Sequence, residues 1–182
     1  MPSKIETLGA SHLASEGYEV QRTNNFEIQI DNVTKVRPLI LAIASGFLPN
    51  ESNEVIALNY GNNTITVAGK ANANGSGSLV VRDLIQEDME KVIDQWRSTV
   101  YNKETDGIGF AADYKKPAYV TQYAPDGTIL RVWNLEGVWP SAVDYGQVSY
   151  DSPGVKTINI TLQYDKAKIS REVLEEEQFL AD

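Results

Sequence analysis

Four carboxylates, Glu87, Asp88, Glu90 and Asp94, sit close enough along the chain to suggest acid–base chemistry or cation binding. Their helical spacing turns them mostly toward solvent, and the reading is a solvated face. His12 is the single histidine and there is no cysteine, so no zinc site can be built on it. Its neighbour Ser11 makes no nucleophile pair by adjacency alone, because a triad needs a third orienting group and an oxyanion hole. Gly69-Lys70 and Gly75-Ser76-Gly77 hold the letters of a phosphate loop in the wrong order, and read as a loose hairpin loop. Trp96, Trp133 and Trp139 with Tyr119, Tyr123, Tyr145 and Tyr150 have faces for stacking bases or sugars. Lys and Arg are sparse among them, so they read as core and subunit packing. Lys115-Lys116 with Lys103 is a basic spot too small for a nucleic-acid duplex and suited to pairing with an acidic neighbour. No residue is assigned a catalytic, cofactor-binding or metal-binding role.

What recurs instead is a polar strand face. Ile158, Ile160, Leu162 and Tyr164 alternate with Thr157, Asn159, Thr161 and Gln163, the period of a strand with one buried side. Phe26, Ile28 and Ile30 alternate in the same way with Glu27 and Gln29, and Thr64 and Thr66 continue the theme in a central segment. Amides and hydroxyls with few charges make a wall that stays wet and grips little.

At 182 residues the chain is one domain, long enough to bury roughly 68–70% of its unfolded surface. Absence of cysteine excludes a disulfide framework and suits a reducing compartment. No apolar stretch approaches the roughly 18 residues of a membrane span, the longest being Leu39 to Leu48. Met1-Pro2-Ser3-Lys4-Ile5-Glu6 lacks the layout of an export signal, so the expectation is a chain retained in the cell that makes it. The sequons at Asn32, Asn62 and Asn159 then carry no glycosylation meaning. A formal charge of −9, from 25 acidic and 16 basic side chains, argues against ordinary nucleic-acid binding.

The elements that must hold this face are mostly strands. Met1 to Thr23 reads as an arm ordered by neighbouring subunits, residues 24–166 as the main domain, and 167–182 as an extension. Asn24 to Ile30 is a strand, and Pro38 and Gly46 make Val36 to Phe47 a second strand with a turn. Val55 to Tyr60 and Thr64 to Val67 form a projecting hairpin about Gly61-Asn62-Asn63. Lys70 to Ser78 reads as a flexible loop and Leu79 to Arg82 as a strand. One long helix is predicted from Asp83, its N-cap, to Tyr101, with Ile85, Met89, Val92, Ile93, Trp96 and Val100 on one face. Tyr119 to Tyr123 and Thr128 to Leu135 form a hairpin about Ala124-Pro125-Asp126-Gly127. Trp139-Pro140 ends the next stretch, Gln147 to Tyr150 and Thr157 to Tyr164 are the last strands, and Ser152-Pro153-Gly154 turns between them. Lys168 to Asp182 reads as a short helix capped by Ser170.

Several of these stretches carry a resemblance. Tyr114-Lys115-Lys116, Gln122-Tyr123-Ala124, Leu135-Glu136-Gly137-Val138-Trp139-Pro140 and Thr157-Ile158-Asn159-Ile160 stand in the order and spacing of the tail tube proteins of contractile-tailed bacteriophages. A weaker echo lies at Leu58-Asn59-Tyr60-Gly61-Asn62-Asn63 and Val67-Ala68-Gly69, and Phe26 to Tyr164 is covered. Related tubes occur in type VI secretion and extracellular contractile injection systems. The resemblance implies a mainly β, sandwich- or barrel-like subunit with one flanking helix, six to a ring, and rings stacked into a tube. It implies a structural virion protein, not an enzyme, assembled in the host cytoplasm into a tail through which the genome passes without specific binding. It further implies the sheath, baseplate and tail terminator proteins as partners, a tape measure protein in the lumen, no membrane and no cofactor. The lumen candidates are Glu27, Gln29, Thr64, Thr66, Asn159, Thr161 and Gln163, with lumen and solvent faces left unassigned. The ring-stacking candidates are Tyr60, Gly61, Asn62 and Asn63, together with the arm. A baseplate tube initiator, or the tube protein of a phage-like injection system, remains the alternative; a small hydrolase or carbohydrate-binding module is remote.

Overall fold

The computed structural model describes residues 20–170 apart from 32, 34, 35, 87 and 152. Most of the arm, His12, Glu87 and the extension beyond Ser170 therefore lie outside the described residues. The fold is mainly β. In chain order the elements are β1 (Phe26–Ile30), α1 (Val36–Ala42), β2 (Ile43–Ser45), β3 (Ser52–Tyr60), β4 (Asn63–Asn72), β5 (Gly75–Arg82) and α2 (Met89–Val100). They continue with β6 (Tyr101–Asn102), β7 (Gly107–Ile108), α3 (Ala111–Tyr114), β8 (Lys116–Tyr123), β9 (Ile129–Asp144), β10 (Thr157–Tyr164) and β11 (Lys166–Ser170).

One antiparallel sheet runs β1-β8-β9-β10-β5-β2, with β11 also on β9. It curls until its ends approach each other: a Cβ added at Gly46, just past β2, would collide with Ile28 of β1. The concave side encloses one core, in which Ile28, Ile30, Val120, Leu135, Ile158, Ile160 and Leu162 meet Met89, Ile93 and Trp96 of α2. Burying each such side chain contributes roughly 1.5–3 kcal/mol, which makes this cluster the main support of the sheet's shape. Trp96 keeps its indole N–H satisfied by donating to the Tyr114 carbonyl at 2.9 Å. Among the described residues, β3 and β4 pair only with each other, as do β6 and β7.

Several expectations are corrected. Val36–Ala42 is helical because Pro38 falls in the first turn, where backbone N–H groups have no intrahelical acceptor to lose. Lys70 to Ser78 is no loose loop: the β3–β4 ladder extends to Asn72 and β5 begins at Gly75. The glycines there admit aromatic rings, since a Cβ would collide with Tyr164 at Gly75 and with Phe47 at Gly77. Those two rings stack, with centroids 6.1 Å apart.

The long helix starts at Met89, capped by Asp88, whose side chain accepts from the Lys91 N–H at 3.1 Å. Asp83 continues the preceding strand instead, its N–H donating to Lys156 O at 3.0 Å. Ile85 stays outside the apolar face and is 96% exposed. β9 runs through Trp139-Pro140 to Asp144; Pro140 faces Leu162 where the register shifts, a place that tolerates a missing N–H. Gln147 to Tyr150 is not a strand but part of a loop pinned to α2, by Tyr145 Oη donating to Asp94 at 3.1 Å and by Lys156 pairing with Glu90, and to the end of β5 by Lys156 pairing with Asp83. Lys168 to Ser170 belongs to β11 and not to a helix, because Ile169 and Lys168 pair with Trp133 and Asn134 of β9.

Candidate functional site: a polar sheet face and an exposed hairpin

The alternation of the two central sequence patterns fixes one surface. Ile28 and Ile30 on β1 and Ile158, Ile160 and Leu162 on β10 all enter the same core, so the residues between them project from the sheet's other face. Glu27, Gln29, Asn159, Thr161 and Gln163 therefore share that face. Glu27 lies opposite Thr121 and Gln29 opposite Tyr119, whose partner on β9 is Asn134. Asn159, Thr161 and Gln163 lie opposite Asp144, Ala142 and Trp139 on one side, and opposite Val80, Ser78 and Ser76 on the other. Asn159 and Thr161 are exposed; Gln163, Glu27 and Gln29 are half-buried.

Local bonds hold Glu27 and Gln29. Tyr123 Oη donates to Glu27 Oε2 at 2.9 Å, and Gln29 Nε2 donates to Asp31 Oδ1 at 3.2 Å. Partial burial, reinforced by the Glu27 carboxylate, pushes the Tyr123 phenol up to about 12. The face is less free of charge than the sequence pattern suggests. β11 adds Lys166 and Lys168 opposite Glu136 and Asn134, and Lys168 pairs with Glu136. That hydrogen bond holds the Glu136 carboxyl below its ordinary range. Strand β11 escaped sequence reasoning because Lys166 to Ser170 offers only Ala167 and Ile169 as apolar positions.

Thr64 and Thr66 stand elsewhere, on the β3–β4 ribbon, so the structure does not join them to the other five lumen candidates. Every residue of β3 is exposed. Gly61 and Asn62 form the turn, with positive φ at Gly61 (60°) alone of the two, and Asn63 already pairs with Tyr60. Register sets Ile56, Leu58 and Tyr60 beside Val67, Ile65 and Asn63 on one side of the ribbon. Asn59, Thr64 and Thr66 take the other side, where Thr64 Oγ1 donates to Asn59 Oδ1 at 2.9 Å. The five apolar side chains of the first group lie 39–65% exposed in a continuous stripe. A two-stranded ribbon is marginal alone, and a stripe of this kind marks a surface built to be covered.

The residues first considered for chemistry are dispersed. Asp88 caps α2, Glu90 pairs with Lys156, and Asp94 accepts from Tyr145. Among the described residues, no group of His, Asp and Glu could hold a metal ion. Lys115 pairs within the chain, with Asp165.

A family model described as T4-like virus tail tube protein gp19 matches residues 22–168, which take in both the polar face and the hairpin. The chain belongs to this tail tube family. The tail tube protein gp19 of Enterobacteria phage T4 is 30% identical over 155 residues, spanning 84% of this chain and 93% of that protein. Among solved structures, a chain of the sheath–tube complex of the extracellular contractile injection system PVC, in its extended state, superposes with a TM-score of 0.64. It is 15% identical, covering 91% of this chain and 100% of that one. A chain of the sheath/tube terminator of the same system gives 0.65 at 15% identity, covering 84% and 97%. These likenesses establish a tail tube fold, and family membership makes the chain a structural component of a contractile tail.

Proposed function

We propose that six copies of this tail tube protein close into a ring, that rings stack into the inner tube of a phage tail, and that the polar sheet face lines the channel for the genome. The observation that carries this reading is the single face holding Glu27, Gln29, Asn159, Thr161 and Gln163, opposite the core, on a sheet whose ends β1 and β2 are edges among the described residues. Such edges invite strand pairing with another copy, and a head-to-tail contact that closes on itself makes a ring.

A lining of amides and hydroxyls with few charges leaves water between wall and duplex. Lys168 is consistent with this, because Glu136 neutralises it. Several unpaired lysines would instead build up phosphate contacts, and six to ten such contacts shift affinity by roughly 10³–10⁵ over a modest change in salt. Thr64 and Thr66 are reassigned to the stacking hairpin with Tyr60, Gly61, Asn62 and Asn63. The sheath and the tail terminator are the outer and end partners, in keeping with the assemblies in which the similar folds were solved. Baseplate proteins, a tape measure protein in the lumen and passing DNA complete the set, with assembly in the host cytoplasm and no catalytic role. Negative-stain imaging of the purified full chain tests the reading. Long tubes of stacked hexameric rings are expected; isolated rings point to a tube initiator, and a strictly monomeric protein at high concentration refutes it.

A further inference from the structure

The β3–β4 ribbon has two sides, and both are open: every residue of β3 is exposed, as is β4 from Asn63 to Ala68. Ile56, Leu58, Tyr60, Ile65 and Val67 make the apolar side. Ala57, Asn59, Thr64, Thr66 and Ala68 make the other, with Val55 at its base. From Val55 to Gly69 there is no Asp, Glu, Lys or Arg, the longest such run in the chain. Strands left in bulk solvent are normally guarded by charge, so a ribbon uncharged on both sides is one that assembly encloses.

The apolar side calls for protein against it. Among the described residues none of its own chain covers it, and the nine residues of β3 carry it roughly 30 Å at about 3.3–3.4 Å per residue, so its cover lies in another molecule. In a wall of repeated subunits that molecule is the next copy. The polar side is decided by comparison. With the sheet's polar face toward the channel, α2 packs on the opposite side and stands outward, and its solvent side carries Glu90, Lys91 and Asp94. The ribbon's polar side has no such charges. It repeats the amides and hydroxyls of Asn159, Thr161 and Gln163, and Thr64 Oγ1 already spends its hydrogen on Asn59 Oδ1.

We propose that a second copy covers the apolar side of the ribbon, and that Asn59, Thr64 and Thr66 on its other side face the channel and carry the lining across the joint between copies. The proposal rests on the tube reading above. Two polar surfaces that stand apart in one subunit become one wall in the assembly.

The chain has no cysteine, so one introduced thiol reports its own position. Tubes of Thr66→Cys, Thr64→Cys, Thr161→Cys, Gln95→Cys and Leu58→Cys are treated with a small biotin maleimide and then with streptavidin, which is too large for a channel fitted to a duplex. Thr66→Cys and Thr64→Cys are expected to take the small reagent yet stay undecorated until the tubes are dissolved in denaturant, as Thr161→Cys does. Gln95→Cys, on the outward side of α2, should be decorated along the tube. Leu58→Cys should react in the unassembled protein and lose that reactivity in tubes. Streptavidin along Thr66→Cys and Thr64→Cys tubes, or thiols there that are closed even to the small reagent, overturns the proposal and leaves the tube standing. Leu58→Cys that reacts equally before and after assembly, or is already closed before it, overturns the contact between copies. Streptavidin along Thr161→Cys tubes removes the lining reading, and the proposal with it.

Discussion

Asp165 packs directly against Gly137, so closely that a Cβ at Gly137 would collide with the carboxylate that Lys115 holds at 2.7 Å. Gly137 has φ of 69°, and the Asp165 N–H donates to the Glu136 carbonyl at 2.9 Å. At this corner β9 exchanges one neighbour, β11, for the other, β10. Gly137→Ala meets both a left-handed backbone and a blocked space, and should cost at least the roughly 1–2 kcal/mol of the backbone term. Lys115→Met removes only a partly exposed ion pair and should cost about 0–1 kcal/mol. Urea midpoints of the two variants should differ in that order.

Asp88 supplies a side-chain cap from a residue whose own φ is 41°. Asp88→Ala should lose about 1 kcal/mol of stability, measured by thermal unfolding. Asp88→Gly should lose less, because glycine adopts this φ without strain.

Between pH 10 and about 12 the Tyr123 phenol stays protonated in the fold while an unfolded chain ionises it. The unfolded state then binds fewer protons, so the contribution of this group is intact below pH 10 and falls as pH rises toward 12. Tyr123→Phe should flatten that part of the alkaline melting curve. An unchanged slope would mean that the phenol is not held by burial and Glu27.

Asn159 and Thr161 are exposed on the polar face, so lysine there should leave the subunit folded. Tubes carrying Asn159→Lys and Thr161→Lys should assemble but slow genome delivery, more so at low salt. Ejection at the wild-type rate from such particles would count against this face as the lining.

Leu58 and Ile65 pair on the exposed ribbon and lie outside the core. Leu58→Glu with Ile65→Glu should leave the melting temperature of the subunit within a few degrees of wild type. Sedimentation should nevertheless show the loss of long tubes.

The fold was legible where one side of an element is buried. Strict alternation exposed β1 and β10, and three-to-four spacing exposed the Met89–Val100 helix, because burial dictates those patterns. Gly75 and Gly77 misled because glycine serves a loop and a tight ring contact equally well, and only the positions of Tyr164 and Phe47 distinguish them. Asp83 and Asp88 are equivalent caps on paper; the strand bond from Asp83 to Lys156 decides between them. The lumen candidates divided for a related reason. Period two reveals that Thr64 and Thr66 share a face, but not that their ribbon stands apart from the sheet carrying Asn159.

The exposed stripe from Ile56 to Tyr60 has a consequence for growth. If each incoming layer hides the stripes of the one before it while presenting its own, the end of the polymer is renewed at every step. Nothing among the described residues then tells elongation to stop, so a tail of fixed length calls for a ruler and a plug made from other molecules.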